Sequence, residues 1–183
     1  MQLQTERLLL RELDVQDART VLDYVLRNRS FLEPWEIRRQ EDYYTLGMQA
    51  EQLLLDAARA ASGGQCKLWL SPLDEPANII GSVTINNIVR GAFLSCHLGY
   101  RLDAAYANRG FMTEALRVMI RHAFDDLGLH RIEANIMPRN AASLGVVRKL
   151  GFYEEGLALK YLLINGQWED HLHMVLRNTS MEE

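Results

Sequence analysis

The sequence predicts an α+β (mixed α/β) fold in a single domain over residues 1–183: a central mixed, mostly antiparallel, seven-stranded sheet flanked by about four helices. Three observations carry this reading. Hydrophobic residues are 48% of a chain of 183 residues, enough to bury one sizeable core. Apolar positions alternate along the chain between helical spacing and short strand-like runs. The turn clusters between them, such as Gly63-Gly64 and Ser71-Pro72-Leu73-Asp74-Glu75-Pro76, are too short to be linkers.

Leu8 to Leu13 reads as a first strand. Asp14 caps a helix to about Asn28, with Val15, Ala18, Val21, Leu22 and Val25 on one face. Phe31-Leu32-Glu33-Pro34-Trp35 interrupts the pattern, and a longer helix ends at Ala61 before Ser62-Gly63-Gly64. Cys66–Leu70, Ile79–Ile88 and Ala92–Leu102 read as an antiparallel meander, because their connections are short. Thr113–Leu127 is an amphipathic helix stopped by Gly128. Arg131–Met137 is a strand, and the unit from Ala92 to Met137 is expected to be a right-handed parallel crossover. Asn140 caps a helix ending at Leu150-Gly151, and Phe152–Ile164 with Trp168–Leu176 closes the chain as a hairpin around Asn165-Gly166.

Composition excludes several classes. Lys and Arg number 20 against 24 Asp and Glu, a net charge of -4, which speaks against a general nucleic-acid binder and mildly for a cationic partner. No window approaches a membrane span, and the N-terminus lacks a signal peptide's basic start and apolar run. Cys66 and Cys96 sit in strand-like apolar runs and read as buried core residues of a reduced, cytoplasmic protein. The oligomeric state stays open between monomer and homodimer.

One stretch carries chemistry by itself. Leu98-Gly99-Tyr100-Arg101-Leu102 ends a strand, and Asn108-Arg109-Gly110-Phe111-Met112-Thr113 leads into a helix. A helix start leaves N–H groups without intrahelical partners and carries partial positive charge, so it can hold a phosphate without a metal. Gly110 permits close approach and Arg109 adds charge. An ordinary strand-to-helix connection explains the same residues. In open mixed sheets, ligands gather at this carboxyl end of a crossover strand.

The chain as a whole resembles the GNAT N-acetyltransferases, and within them the RimJ/RimL type. The likeness rests on the Gly99-Tyr100-Arg101-Leu102 strand end, the Asn108–Ala115 loop, Asn140-Ala141-Ala142-Ser143 and Leu150-Gly151-Phe152. It is strengthened by His130-Arg131-Ile132, Met137-Pro138-Arg139-Asn140, the Tyr161–His171 hairpin and the opening Thr5–Arg11. It is weakest between about residues 38 and 64. In the family's loop pattern only the central glycine is kept strictly. Ala107 lacks the usual polar side chain and Met112 replaces a small residue, so the pyrophosphate grip falls to main-chain N–H groups.

The resemblance implies acetyl-CoA as donor, no metal, and direct attack by an amine, with a ribosomal protein's N-terminal α-amine as the leading acceptor. A small amine such as an antibiotic or polyamine is the same-fold alternative, and a silent coenzyme-binding module the other. It assigns coenzyme contacts to Tyr100, Arg101, Leu102, Asn108, Arg109, Gly110, Phe111, Met112, Thr113 and Asn140, and expects the pantetheine arm to pair like an added strand where two strands splay. Asn140 equally fits a plain N-cap. A backbone N–H near Leu102 is the expected oxyanion donor.

Many relatives carry a tyrosine four residues beyond Ser143, but here that position is Val147, so Ser143 is the expected proton donor to the leaving thiolate. The glutamate that some relatives use as base corresponds to Leu162. His97 is the substitute, since an imidazole titrates near neutrality, with Glu133 and Asp170 as further candidates. A positioned amine arriving neutral needs no dedicated base. His171 and His173 alternate on a strand but lack further ligands at metal spacing. Trp35 fits either the acceptor entrance or a lid over the core.

Overall fold

A computed structural model describes residues 1–182. Its elements in chain order are β1 Gln2–Gln4, β2 Leu8–Arg11, α1 Ala18–Arg27, α2 Arg29–Leu32, α3 Leu46–Ala61, β3 Cys66–Pro72, β4 Gly81–Val89, β5 Ser95–Leu102, α4 Phe111–Arg121, β6 Arg131–Ile136, α5 Ala141–Lys149, β7 Tyr153–Ile164 and β8 Gln167–Arg177. One sheet of eight strands runs β1-β2-β3-β4-β5-β6-β8-β7. Each neighbouring pair is antiparallel except β5 and β6, which are parallel as the crossover requires.

The strand beyond the expected seven is β1. Its three residues pair with β2, Leu3 opposite Leu10. It is too short and too polar to show a period, and only the pairing reveals it. The expected helix after Asp14 opens as a 3-10 turn over Val15–Asp17, where Asp14 accepts from the Gln16 N–H and Asp17 returns to the Asp14 N–H. The longer second helix starts only at Leu46, capped by Thr45. The helix expected to reach Leu127 is α-helical to Arg121 and widens to a π turn over His122–Asp126.

Strand alternation sorts the side chains onto two faces. On the back face, Leu68, Leu70, Val83, Ile85, Cys96, Leu98, Ile132 and Ala134 pack with Ala115, Leu116 and Met119 of α4 and Leu144 and Val147 of α5. On the front, Trp69 and Ile79 pack with Val21, Leu22 and Val25 of α1 and Leu53 of α3. The front helices cover the β2–β4 side, and the segment before α3 reaches over β5, where Glu36 and Tyr43 meet Arg101. Both cysteines are free and buried, and burial pushes Cys66 up to about 11 and Cys96 up to about 12. The turn joining β7 to β8 has Asn165 and Gly166 at φ 45° and 82°, the double positive φ that selects Asn-Gly. Among the described residues no helix is long and apolar enough to cross a membrane.

Candidate active site at a splay between parallel strands

β5 and β6 pair only from Ser95↔Arg131 to His97↔Glu133, although β5 continues to Leu102 and β6 to Ile136. Past that point they part and leave a wedge. The Leu94 carbonyl accepts from the His130 and Arg131 N–H groups at 2.7 and 3.1 Å, so its polar groups face β6. The Asp103 N–H donates to the Ile80 carbonyl at 2.7 Å on the opposite side. The two-residue alternation therefore turns the main chain of Leu98, Tyr100 and Leu102 into the wedge, with no strand opposite the last two. Such an edge can accept an extended chain as an added strand.

The loop below the wedge is built for an anion. Gly110 is the N-cap of α4 at φ 81°, a left-handed conformation that favours glycine, and it brings no capping side chain. The N–H groups of Phe111, Met112 and Thr113 therefore lack intrahelical acceptors. Phe111 and Met112 bury their side chains in the core, so their contribution here is main chain only. Asn108 is also left-handed, at φ 59°. Arg109 lies over the rings of Tyr106 and Phe111 at 5.3 and 5.2 Å, with its charge at the loop.

The N-terminal segment holds this loop in shape. Glu114, in the first turn of α4, accepts from the Thr5 hydroxyl at 2.5 Å, the Arg7 N–H at 2.9 Å and the Arg7 guanidinium at 2.7 Å. Arg7 also donates to the Arg109 carbonyl at 3.1 Å and covers the Phe111 ring at 4.3 Å. Burial alone would raise the Glu114 carboxyl, but these hydrogen bonds outweigh it and hold it below the usual range. No local pattern in Thr5–Arg7 marks this task, because its partners lie more than a hundred residues along the chain.

Across the wedge, Asn140 caps α5 by accepting the Ser143 N–H at 3.1 Å. Its amide nitrogen stays free of that bond for a ligand. Ser143 meets Tyr100 of β5: the Tyr100 hydroxyl is 2.6 Å from Ser143 Oγ and donates to the Ser143 carbonyl at 3.0 Å. Burial pushes the Tyr100 phenol up to about 12, against a smaller opposing effect of Ser143, so it stays protonated in neutral solution.

A cavity of about 370 Å³ opens on the front face of the sheet, lined among others by Trp35, Glu36, Tyr43, Asn86 and Gly99. A Cβ on Gly99 would meet nothing within 4 Å, so the cavity is open beside β5 at this residue. Arg101 points into this cavity and away from the wedge, since side chains on a strand alternate. Its guanidinium contacts Glu36 at 3.2 Å and Tyr43 at 3.4 Å and lies over the Trp69 ring at 5.2 Å. Burial would lower its proton affinity, but Glu36, Tyr43 and Tyr24 outweigh that and keep it charged. The Arg101 main chain faces β4, so the structure places both its parts outside the wedge. Trp35 lines the cavity entrance under Arg139, whose guanidinium sits 4.8 Å from the ring and bonds to the Pro34 carbonyl and to Glu169.

His97 faces front at the vertex of the wedge. Its Nδ1 is 3.1 Å from the Asn87 amide, which a bulge in β4 aims at it, and its Nε2 is 3.7 Å from Glu133. Glu133 also meets Arg131 at 2.8 Å and His173 at 3.0 Å. Burial would raise Glu133, but hydrogen bonds from Arg131, Asn135 and His173 outweigh it and keep it ionised. Asp170 instead accepts the Lys160 N–H at 2.8 Å on the hairpin, and Leu162 is exposed there. His171 and His173 share a face with Tyr161, and among the described residues no three His, Cys, Asp or Glu side chains gather as a metal site.

The residues fit acetyl-CoA: free N–H groups at a glycine helix start for the pyrophosphate, an open strand edge for the pantetheine arm, and a serine hydroxyl at the thiol end. Residues 7–153 match the family described as Acetyltransferase (GNAT) domain. The chain is 40% identical over 173 residues to the Escherichia coli ribosomal protein uS5-alanine N-acetyltransferase, covering 94% of this chain and 88% of that one. It is 38% identical to a probable N-acetyltransferase, YjcK, of Bacillus subtilis, covering 95% and 96%. Among solved structures, the ribosomal-protein-S5-alanine acetyltransferase of Vibrio fischeri superposes with a TM-score of 0.91 at 36% identity over 97% of each chain. Mycobacterium smegmatis RimJ, solved with CoA-disulfide, gives 0.89 at 29% identity over 96% of this chain and 84% of that one.

Proposed function

The chain belongs to the GNAT acetyltransferase family and is an acetyl-CoA-dependent N-acetyltransferase, and from that premise we propose that its acceptor is the N-terminal α-amino group of a protein, a ribosomal protein beginning with alanine being the class to test first. The observation that carries this is the front cavity, which reaches β5 at Gly99 and is lined by Trp35, Tyr43 and Trp69 beside Glu36, Arg39 and Arg101. A blunt chain end needs such a depth, with polar groups for its first peptide bonds. The relatives whose names specify uS5- or S5-alanine acetylation support the same reading. A ribosomal acceptor puts the reaction in the cytoplasm.

The coenzyme supplies an activated thioester, and this chain's residues supply position and protons. We assign the oxyanion donor to a main-chain N–H at the unpaired end of β5, where those of Tyr100 and Leu102 face the wedge. The amine nitrogen forms the C–N bond as the C–S bond breaks. Ser143 donates the proton that leaves with the thiol, and the surplus amine proton passes to His97 and Glu133 at the vertex. Thiol release from acetyl-CoA tests the acceptor: turnover with an N-terminal alanine peptide is expected, and turnover confined to polyamines or aminoglycosides contradicts it.

A further inference from the structure

Five charged side chains line the front cavity: the cations Arg39, Lys67 and Arg101 and the carboxylates Glu36 and Asp56. Together they leave one positive charge in excess, although the whole chain carries a net charge of -4. Two of the cations are matched. Lys67 Nζ sits 2.6 Å from Asp56, and the Arg101 guanidinium meets Glu36 at 3.2 Å. Arg39 is the third. Its carboxylate neighbour is the same Glu36, 3.7 Å from Nε and beyond hydrogen-bond reach, and one carboxylate does not neutralise two guanidiniums. The Arg39 guanidinium lies over the Tyr43 ring at 4.3 Å, which holds it at the cavity wall, and 30% of the side chain stays exposed. A charge held in a half-enclosed cavity is screened less than one on the open surface.

We infer, on the premise of a peptide acceptor, that Arg39 selects amino termini with a carboxylate close behind the reacting amine, an acidic side chain among the first residues. A guanidinium offers a carboxylate parallel N–H donors, a stronger match than it makes with a neutral amide. The excess charge also repels a second cation at the same place, which counts against a basic residue there and against polyamines. It favours the neutral form of the incoming amine, because a nearby cation opposes the ammonium ion.

The test measures thiol release at saturating acetyl-CoA with alanine-initiated peptides that differ only in having Glu, Gln or Lys at position two, three or four. In the wild type, kcat/KM is expected to be about tenfold higher with Glu than with Gln at one of these positions, and lower again with Lys. In Arg39→Met the Glu-to-Gln ratio at that position is expected to fall to about one, and Arg39→Glu is expected to turn the preference toward Lys. Acetyl-CoA affinity by calorimetry is expected to stay the same in both. Arg39→Lys, which keeps the charge but not the fork, is expected to retain part of the ratio. A ratio within one enzyme is unmoved by a general loss of activity, so it separates recognition from a structural role. If Arg39→Met does not fold, the ratio in Arg39→Gln decides. A wild-type ratio near one at every position, or the full wild-type ratio in Arg39→Met, overturns the inference and leaves the peptide acceptor standing. Turnover of no peptide overturns the peptide acceptor and the inference with it.

Discussion

The Tyr100 hydroxyl lies 2.6 Å from Ser143 Oγ, joining a strand to a helix across the wedge. One turn further along the helix stands Val147, wholly buried in the core, so no phenol comes from that position. The strand brings a phenol to the same serine. Tyr100→Phe is expected to lower kcat about tenfold and Ser143→Ala about 100-fold, each with unchanged acetyl-CoA affinity. Stopped-flow single turnovers beside calorimetry check this, and a normal rate in Ser143→Ala removes the serine as proton donor.

Gly110→Glu combines a left-handed φ, an added side chain 3.4 Å from the Arg7 guanidinium and a negative charge at the anion seat. Acetyl-CoA affinity by calorimetry is expected to fall at least about 100-fold. Arg7→Ala removes the brace on Glu114 and leaves the glycine intact, and is expected to weaken binding by about tenfold.

In the proposed reaction the amine's surplus proton passes to His97 and Glu133. His97→Ala is expected to cost about 100-fold in kcat/KM at neutral pH, with the gap narrowing in alkaline buffer, where the amine arrives neutral. A pH–rate profile reads this directly. A constant gap at all pH values assigns His97 a structural role instead.

Asp103 follows β5 and ties the site to the front helices. It accepts from Arg27 at 2.6 Å, Asn28 at 2.9 Å and the Ala105 N–H at 2.9 Å. Burial would raise its pKa, but these bonds outweigh it and depress it. A depressed carboxylate stabilises the fold fully above its unfolded value of about 3.9, and the benefit is lost as pH falls through the folded value. Asp103→Asn is expected to cost about 2 kcal/mol at pH 7 in denaturant unfolding, with the difference from wild type shrinking toward pH 3.

Much of this was legible in the sequence, for local reasons. A glycine before an amphipathic run, an Asn three residues before a Ser, and an Asn-Gly turn each solve a backbone problem within a few residues, and each marks its place. The partnerships around the site join residues of different elements. Tyr100 with Ser143, Asn87 with His97 and Arg101 with Glu36 depend on register and face, which no local pattern encodes. Arg101 is the instructive case. Its one-residue offset from Tyr100 already puts the two side chains on opposite faces of the strand, and the period of two was the signal that could have separated them. The late start of α3 and the short β1 escaped because propensity there is weak and tertiary pairing decides.

The proposed reaction needs a donor in the wedge and a protein N-terminus in the front cavity. A peptide beginning with alanine and carrying an internal lysine, incubated with enzyme and acetyl-CoA and sequenced by tandem mass spectrometry, tests both together. The prediction is one acetyl group on the α-nitrogen and none on the lysine. Acetyl on the lysine side chain, or an unmodified peptide beside acetylated small amines, contradicts it.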